Sequence, residues 1–264
     1  MRKSAMVLVL AGSPAAAAQP YVGFEIGREN VRPSDIDETV TFTSTPAAPG
    51  DPHTMFYEDV FSARYKKGRD IGLTGGFDFG WFRIEGELAQ KRIKINEYRP
   101  DDITDQFLTE LNGALNRPSV APDPEAPGSA ALTLDDFQPS ATLKVRSAIV
   151  NALIDVKLFN RFNAYAGAGF GKAFIKGFDD SDSEFVWQRV FGARYGITDR
   201  FDVGVKYRNF RTGVIKLNHD PMGFSGNPDQ TNSGAVTTNA SVVPDLEGQF
   251  RAKSVMLTLN YNLR

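Results

Sequence analysis

The chain has 264 residues, with 30 Lys and Arg against 32 Asp and Glu and no cysteine. Nothing in a balance this close to neutral favours a nucleic-acid partner, which usually wants a basic face. Without cysteine, closed hydrogen bonding and packing must hold the fold in place of disulfides.

The N-terminus sets the compartment. Arg2 and Lys3 give a basic start, Ala5 to Ala11 an apolar run, and Ala16-Ala17-Ala18 a small-residue cleavage signal before Gln19. This is the layout of a secretory signal peptide, and the apolar run falls short of the roughly 20 residues needed to span a bilayer. Residues 1–18 are therefore expected to be a leader and 19–264 the mature domain. Loss of Arg2 and Lys3 lowers the basic count from 30 to 28. No later segment reads as a transmembrane helix, and the mean hydropathy is negative, −0.30. A barrel strand hides its apolarity, because only alternate residues meet lipid.

From Tyr21 onward the apolar pattern has period two. The first run, Tyr21 to Arg28, alternates Val22, Phe24 and Ile26 with Gly23, Glu25 and Gly27. The second, Asp70 to Phe79, sets Ile71, Leu73, Phe77 and Phe79 against Gly72, Thr74, Gly76 and Asp78. Gly80-Trp81 turns the chain into the third, Phe82 to Gln90, where Phe82, Ile84 and Leu88 oppose Arg83, Glu85 and Glu87. The fourth, Leu143 to Leu158, is apolar on both parities from Ala148 to Ile154, while Asp155 and Lys157 share one. Asn160-Arg161 leads into the fifth, Phe162 to Phe174, with Ala164, Ala166, Ala168 and Phe170 opposite Gly167, Gly169 and Gly171.

The sixth run, Glu184 to Gly196, carries Trp187, Phe191, Ala193 and Tyr195 on one side. Thr198-Asp199 turns into the seventh, Phe201 to Phe210, where Phe201, Val203, Val205 and Tyr207 oppose Asp202, Gly204, Lys206 and Arg208. The eighth, Gln249 to Leu263, places Val255, Leu257, Leu259, Tyr261 and Leu263 on one parity.

Connections after the second, fourth and sixth runs are a few residues long, whereas Glu29–Arg69, Lys91–Thr142 and Thr212–Gly248 are very long. Long structureless loops are unusual in compact soluble domains, but transmembrane barrels alternate short periplasmic turns with long outer loops. Hydrocarbon demands that every backbone amide be paired, so a sheet within it must close. The pattern predicts an all-β fold, an eight-stranded antiparallel up-and-down transmembrane β-barrel with long extracellular loops. Tyr21, Phe79, Trp81, Phe159, Phe162, Tyr195, Phe201 and Tyr261 are expected to form the aromatic girdle at the short-turn end. A soluble lipocalin-like barrel is the rival fold, and it calls for an apolar interior.

Tyr-Val-Gly-Phe-Glu-Ile-Gly at 21–27, Tyr-Ala-Gly-Ala-Gly-Phe-Gly at 165–171 and the final Val-Met-Leu-Thr-Leu-Asn-Tyr-Asn-Leu resemble the small outer-membrane barrel family of the OmpA transmembrane-domain and OmpX type. The resemblance covers most of the strands and none of the loops. It implies a porin-like or structural barrel in the Gram-negative outer membrane, with the lipid and the barrel-assembly machinery as partners. It also implies that Val255, Leu257, Leu259, Tyr261 and Leu263 serve as the assembly signal, with Leu263 standing where that family places a terminal Phe.

The second parity carries Glu25, Asp78, Arg83, Glu85, Glu87, Asp155, Lys157, Arg194, Asp202, Lys206 and Arg208. In an eight-stranded barrel these point into an interior that side chains can fill, and unpaired burial of charge costs several kcal/mol. A salt-bridged polar core that closes the lumen is the expected reading, with a gated ion path as its alternative. Arg189 falls on the lipid-facing parity beside Trp187, where a midplane Arg costs about 2–4 kcal/mol. His53 and His219 both lie in long loops with no recognisable nucleophile or acid beside them. No metal-ligand spacing, phosphate loop or nucleophile elbow is present, so no catalytic, cofactor or metal residue is assigned. Asp102 to Leu115 reads as a helix with Ile103, Phe107, Leu111 and Leu115 four apart, placed over the barrel mouth or at the outer membrane surface. Function is expected to be structural or surface-interacting, through a loop partner, with a narrow solute channel as the alternative and a lipid-modifying enzyme behind both.

Overall fold

In a computed structural model the chain is described over residues 18–118, 129–138, 141–178, 180–218, 220–229 and 236–263. The leader before Ala18, the proline-rich stretch after Pro118 and His219 lie outside the described residues. Alternating runs become strands because each apolar residue on one parity meets lipid while its neighbours turn inward. The strands are β1 (Gln19–Val31), β2 (Ser34–Thr45), β3 (His53–Tyr65), β4 (Gly68–Asp78), β5 (Phe82–Pro100), β6 (Thr142–Phe159), β7 (Phe162–Gly177), β8 (Asp180–Gly196), β9 (Phe201–Asn218), β10 (Met222–Ser225) and β11 (Thr237–Asn262). One helix, α1 (Thr104–Ala114), follows β5.

Eight of these strands close a ring, in the order β1, β4, β5, β6, β7, β8, β9, β11 and back to β1, every pair antiparallel. The closing pair runs from Tyr21 opposite Asn262 to Val31 opposite Ala252. The protein is thus an eight-stranded up-and-down barrel. Val22, Phe24 and Ile26 on β1, Leu73 on β4, Leu88 on β5, Ile154 on β6 and Leu257 on β11 are exposed on its outer wall.

The long connections are largely folded. After Val31 the chain continues past Arg32 and Pro33 as β2, returns as β3, and resumes the wall as β4 past Lys66 and Lys67. The β2–β3 hairpin stands on top of the β1–β4 pair, with β2 beside Thr237–Asp245 of β11 and β3 beside Ile95–Pro100 of β5. β10 edges the same stretch of β11 from the other side. Most of what sequence periodicity assigns to the first loop, and parts of the second and third, is therefore barrel wall raised above the membrane. It was hidden because β2 (Ser-Asp-Ile-Asp-Glu-Thr-Val-Thr-Phe-Thr-Ser-Thr) alternates polar with apolar outside lipid, where polar residues face water.

The helix stands over the mouth. Phe107, Leu111 and Leu115 are almost fully buried in one cluster with Val40, Val60, Phe61, Leu143, Ile175, Val186, Leu217 and Val242, which line the raised wall. Thr104 donates its hydroxyl to the Val60 carbonyl, and Tyr57 donates to Glu110 at 2.8 Å. Phe61 stacks on Tyr98 at 5.8 Å and meets the edges or tilted faces of Phe107 and Phe137 at 5.8 and 5.5 Å.

One charge sits inside this apolar storey. Glu38 on β2 is fully buried, and neither carboxylate oxygen has a hydrogen-bond partner among the described residues. Burial pushes its carboxyl well above the usual range, and Asp37 and Asp245 add repulsion. A raised folded-state value means that the folded chain holds the proton more tightly than the unfolded chain. Stability from this group is complete below the ordinary carboxylate range and is lost as pH rises above it. Glu38→Met is expected to stabilise the raised storey by about 1–3 kcal/mol at pH 7 and to change little at pH 4. Protease resistance of the extramembrane segment, followed from pH 4 to 8, checks this, and an equal effect at both ends would contradict it.

Candidate functional site

The interior below the mouth is the most chemically loaded part of the molecule. Inward parity places Glu25, Arg83, Glu85, Glu87, Asp155, Arg194, Asp202, Lys206 and Arg208 in the lumen, all buried, with Asp78 half-buried at the periplasmic end. Lys157 departs from this set. A register shift between Lys157 and Phe159 at the β6–β7 turn leaves it exposed to solvent. Tyr21 departs the other way. It is buried, with its hydroxyl donating to Glu85 at 2.8 Å, so it belongs to the lumen and not to the girdle. Its parity is that of Glu25, which is the signal that places it inside. Trp81, Phe159, Tyr195 and Phe201 do stand exposed at the short-turn end, with Phe79, Phe162 and Tyr261 half-buried among them.

The charges interlock across the barrel. At the periplasmic end Arg83 donates to Asp155 at 2.6 Å and lies 4.6 Å over the Tyr165 ring, while Arg194 reaches Asp78 at 2.7 Å and Asp155 at 3.1 Å. Midway, the Lys206 ammonium contacts Glu25, with Glu85 at 3.1 Å and Glu87 at 3.5 Å. Asn151 donates to Glu85 and Glu87 at 3.2 Å, and Gln188 to Glu87 at 3.0 Å. Higher still, Arg208 bridges Glu87 and Asp70, Lys91 pairs with Asp70 and Glu29, and Ser254 donates to Asp70 at 2.6 Å.

Glu29, Asp70 and Lys91 are fully buried members that sequence reasoning missed. Glu29 and Lys91 lie one residue beyond the ends of their runs, where a boundary drawn short turns a lumen residue into a loop residue, and Asp70 opens its run without having been counted on the inward side. Their inward parity was the available signal. Eight carboxylates face five cations in this network. The excess is shared among neutral donors (Tyr21, Asn151, Gln188 and Ser254), which is how buried charge is made tolerable.

The interior is therefore filled on two levels. Lys91 marks the junction, pairing with Asp70 below while its ammonium lies 4.9 Å over the Phe210 ring, a member of the apolar cluster above. Gly169 fits this filling, since a Cβ there would meet the Asn151 amide oxygen at 1.9 Å. His53 opens β3 and is exposed, opposite Phe42 of β2. Arg189 is exposed on the outer wall with its guanidinium 5.2 Å over the Trp187 ring. It leans up the strand, which lowers the cost of a charge on that face. Of the residues expected to signal assembly, Val255, Leu257 and Leu259 stand exposed on the outer face of β11, Tyr261 is half-buried against Phe201, and Leu263 is exposed just past the strand's end.

Among solved structures, the Neisserial surface protein A is similar at 12% identity and a TM-score of 0.40, over 91% of this chain and 97% of that one. The outer membrane protease OmpT from Escherichia coli is similar at 8% identity and a TM-score of 0.35, over 96% and 99%. Ail, the attachment invasion locus protein of Yersinia pestis, gives 12% and 0.31, over 88% and 99%. No curated protein matches the chain significantly. The sequence profile of the outer membrane protein beta-barrel domain matches residues 4–242. The chain belongs to this outer-membrane β-barrel family, and its place is the bacterial outer membrane.

Proposed function

We propose that this protein is a non-conducting, non-enzymatic barrel that reinforces the outer membrane and carries a rigid raised platform on its outer side. The observation that supports this reading is the doubly filled interior. A ladder of ion pairs from Asp78 to Glu29 occupies the membrane-spanning lumen, and the cluster around Phe61, Phe107 and Leu111 occupies the mouth. An eight-stranded wall encloses only enough space for such side chains, and an ion crossing it has to break buried pairs, each costing several kcal/mol. The platform presents the β2–β3 hairpin and the outer face of α1 to the medium, where loops and edges carry binding specificity. A protein or glycan partner outside the cell is the surface role this geometry suits.

Planar-bilayer recording of the purified protein tests the reading. Silent membranes, with at most brief and irregular events, are expected at protein amounts that give steady openings for an open porin. Regular, well-defined conductance steps would put a narrow solute channel in its place.

A further inference from the structure

The outer wall ends its apolar belt in a pattern that the closed lumen does not explain. Each ring strand, followed upward from the short-turn end, presents apolar or uncharged residues outward until one first charge. On β1, β4, β5 and β6 that charge is Arg28, Arg69, Arg92 and Arg146. On β7, β8, β9 and β11 it is Lys172, Arg189, Arg211 and Lys253. All eight are basic, and no carboxylate occupies an outward position at or below them. Among the described residues none of the eight makes an ion pair.

The register concentrates the charge on one side. Arg28 stands directly opposite Arg69, Arg69 opposite Arg92, Arg92 opposite Lys144, and Lys144 opposite Lys176. Five successive strands thus present like charges as direct cross-strand neighbours, an arrangement that destabilises a sheet unless counter-charge is supplied. Among the described residues none of the five is ion-paired, and the one carboxylate lining the cleft beside Lys144 and Lys176, Asp182, does not balance the row. On the opposite side, Arg211 and Arg251 turn their guanidinium groups onto one neutral acceptor, the Gln249 amide oxygen.

Two concavities share Arg146. One, of about 500 Å³, is lined by Lys144, Arg146, Phe174 and Lys176, with Ser181, Ser183 and a single carboxylate, Asp182, on its β8 side, and lies on the basic row. The other, of about 370 Å³, is lined by Ile71, Leu73, Leu88 and Gln90 and lies below it on the apolar belt. A headgroup-sized basic cleft above an acyl-sized apolar groove is the shape of a lipid site. Guanidinium groups match phosphate oxygens in paired hydrogen bonds.

We infer that the β4–β7 face binds the phosphorylated glycolipid of the outer leaflet, lipid A, with its phosphates on Arg92, Lys144, Arg146 and Lys176 and an acyl chain along Ile71, Leu73 and Leu88. The multiple phosphates on a sugar headgroup suit a row of cations spread over several strands better than the single phosphate of a glycerophospholipid. The site lies outside the wall and is independent of whether the lumen conducts.

The test is thermal unfolding of the purified barrel in neutral detergent, titrated with lipopolysaccharide, with enzymatically dephosphorylated lipopolysaccharide, or with phosphatidylglycerol. The unfolding midpoint is expected to rise saturably with lipopolysaccharide, and little or not at all with the other two lipids. The triple variant Arg92→Gln, Lys144→Gln, Arg146→Gln is expected to bind about tenfold more weakly or worse. Arg161→Gln, at a periplasmic turn, is expected to bind as the parent does. Equal shifts from phosphatidylglycerol would replace lipid A by general attraction to anionic lipid. An undiminished shift from the dephosphorylated lipid would overturn the phosphate site on the unaltered protein, even if the triple variant failed to fold.

Discussion

Arg208→Met is expected to cost the folded barrel about 3–5 kcal/mol, the range for breaking a buried ion pair from one side. Arg208 is fully buried and bridges Glu87 and Asp70, so its removal strands carboxylate charge where no water replaces it. Asp70 keeps Lys91 and Ser254, but Glu87 keeps only Lys206 at 3.5 Å among its cations, with Gln188 and Asn151 as neutral donors. Glu87 therefore takes most of the penalty. Adding Glu87→Gln to Arg208→Met removes the stranded charge and should recover much of the loss, because neutralising both members of a buried pair is far less harmful than removing one. Equilibrium urea unfolding in lipid vesicles measures both variants. Additive losses in the double variant would mean that Arg208 acts through packing along its stem, not through its charge.

Phe61→Ala is expected to loosen the raised storey by about 3–5 kcal/mol, the cost of a large aromatic cavity. Phe61 is fully buried and touches the rings of Tyr98, Phe107 and Phe137, so it joins β3, β5, α1 and the segment before β6 in one contact. The lower barrel shares no part of this contact, and its closed hydrogen bonding is unchanged. The variant should keep the gel shift between boiled and unboiled samples, while protease cuts near α1 far faster than in the parent. Loss of both properties together would show that platform and barrel form one cooperative unit.

The strand rhythm, the turns at Gly80-Trp81, Asn160-Arg161 and Thr198-Asp199, and the inward parity of Glu25, Arg83, Glu87 and Lys206 were legible without coordinates. Lipid imposes an alternation that every membrane-spanning residue must obey. The same rule leaves the platform hard to read. Above the membrane, β2 and β3 face water on one side, and their mixture of Thr, Asp and Phe looks like loop. The helix was legible from Phe107, Leu111 and Leu115 four apart, yet its place over the mouth was set by the wall residues it meets, which lie as far away in sequence as Val242.

By itself, then, the sequence determined a closed eight-stranded wall and the sign of the residues on each of its faces, because the period of a strand and the solvent on either side are local matters. Only the tertiary structure decided that Asp70 takes both Arg208 and Lys91, that Tyr21 turns inward to Glu85, and that five cations stand shoulder to shoulder from Arg28 to Lys176. Those depend on the register between strands, which brings together side chains up to 138 positions apart in the chain. Register is set by the closure of the ring as a whole, and no single strand encodes it.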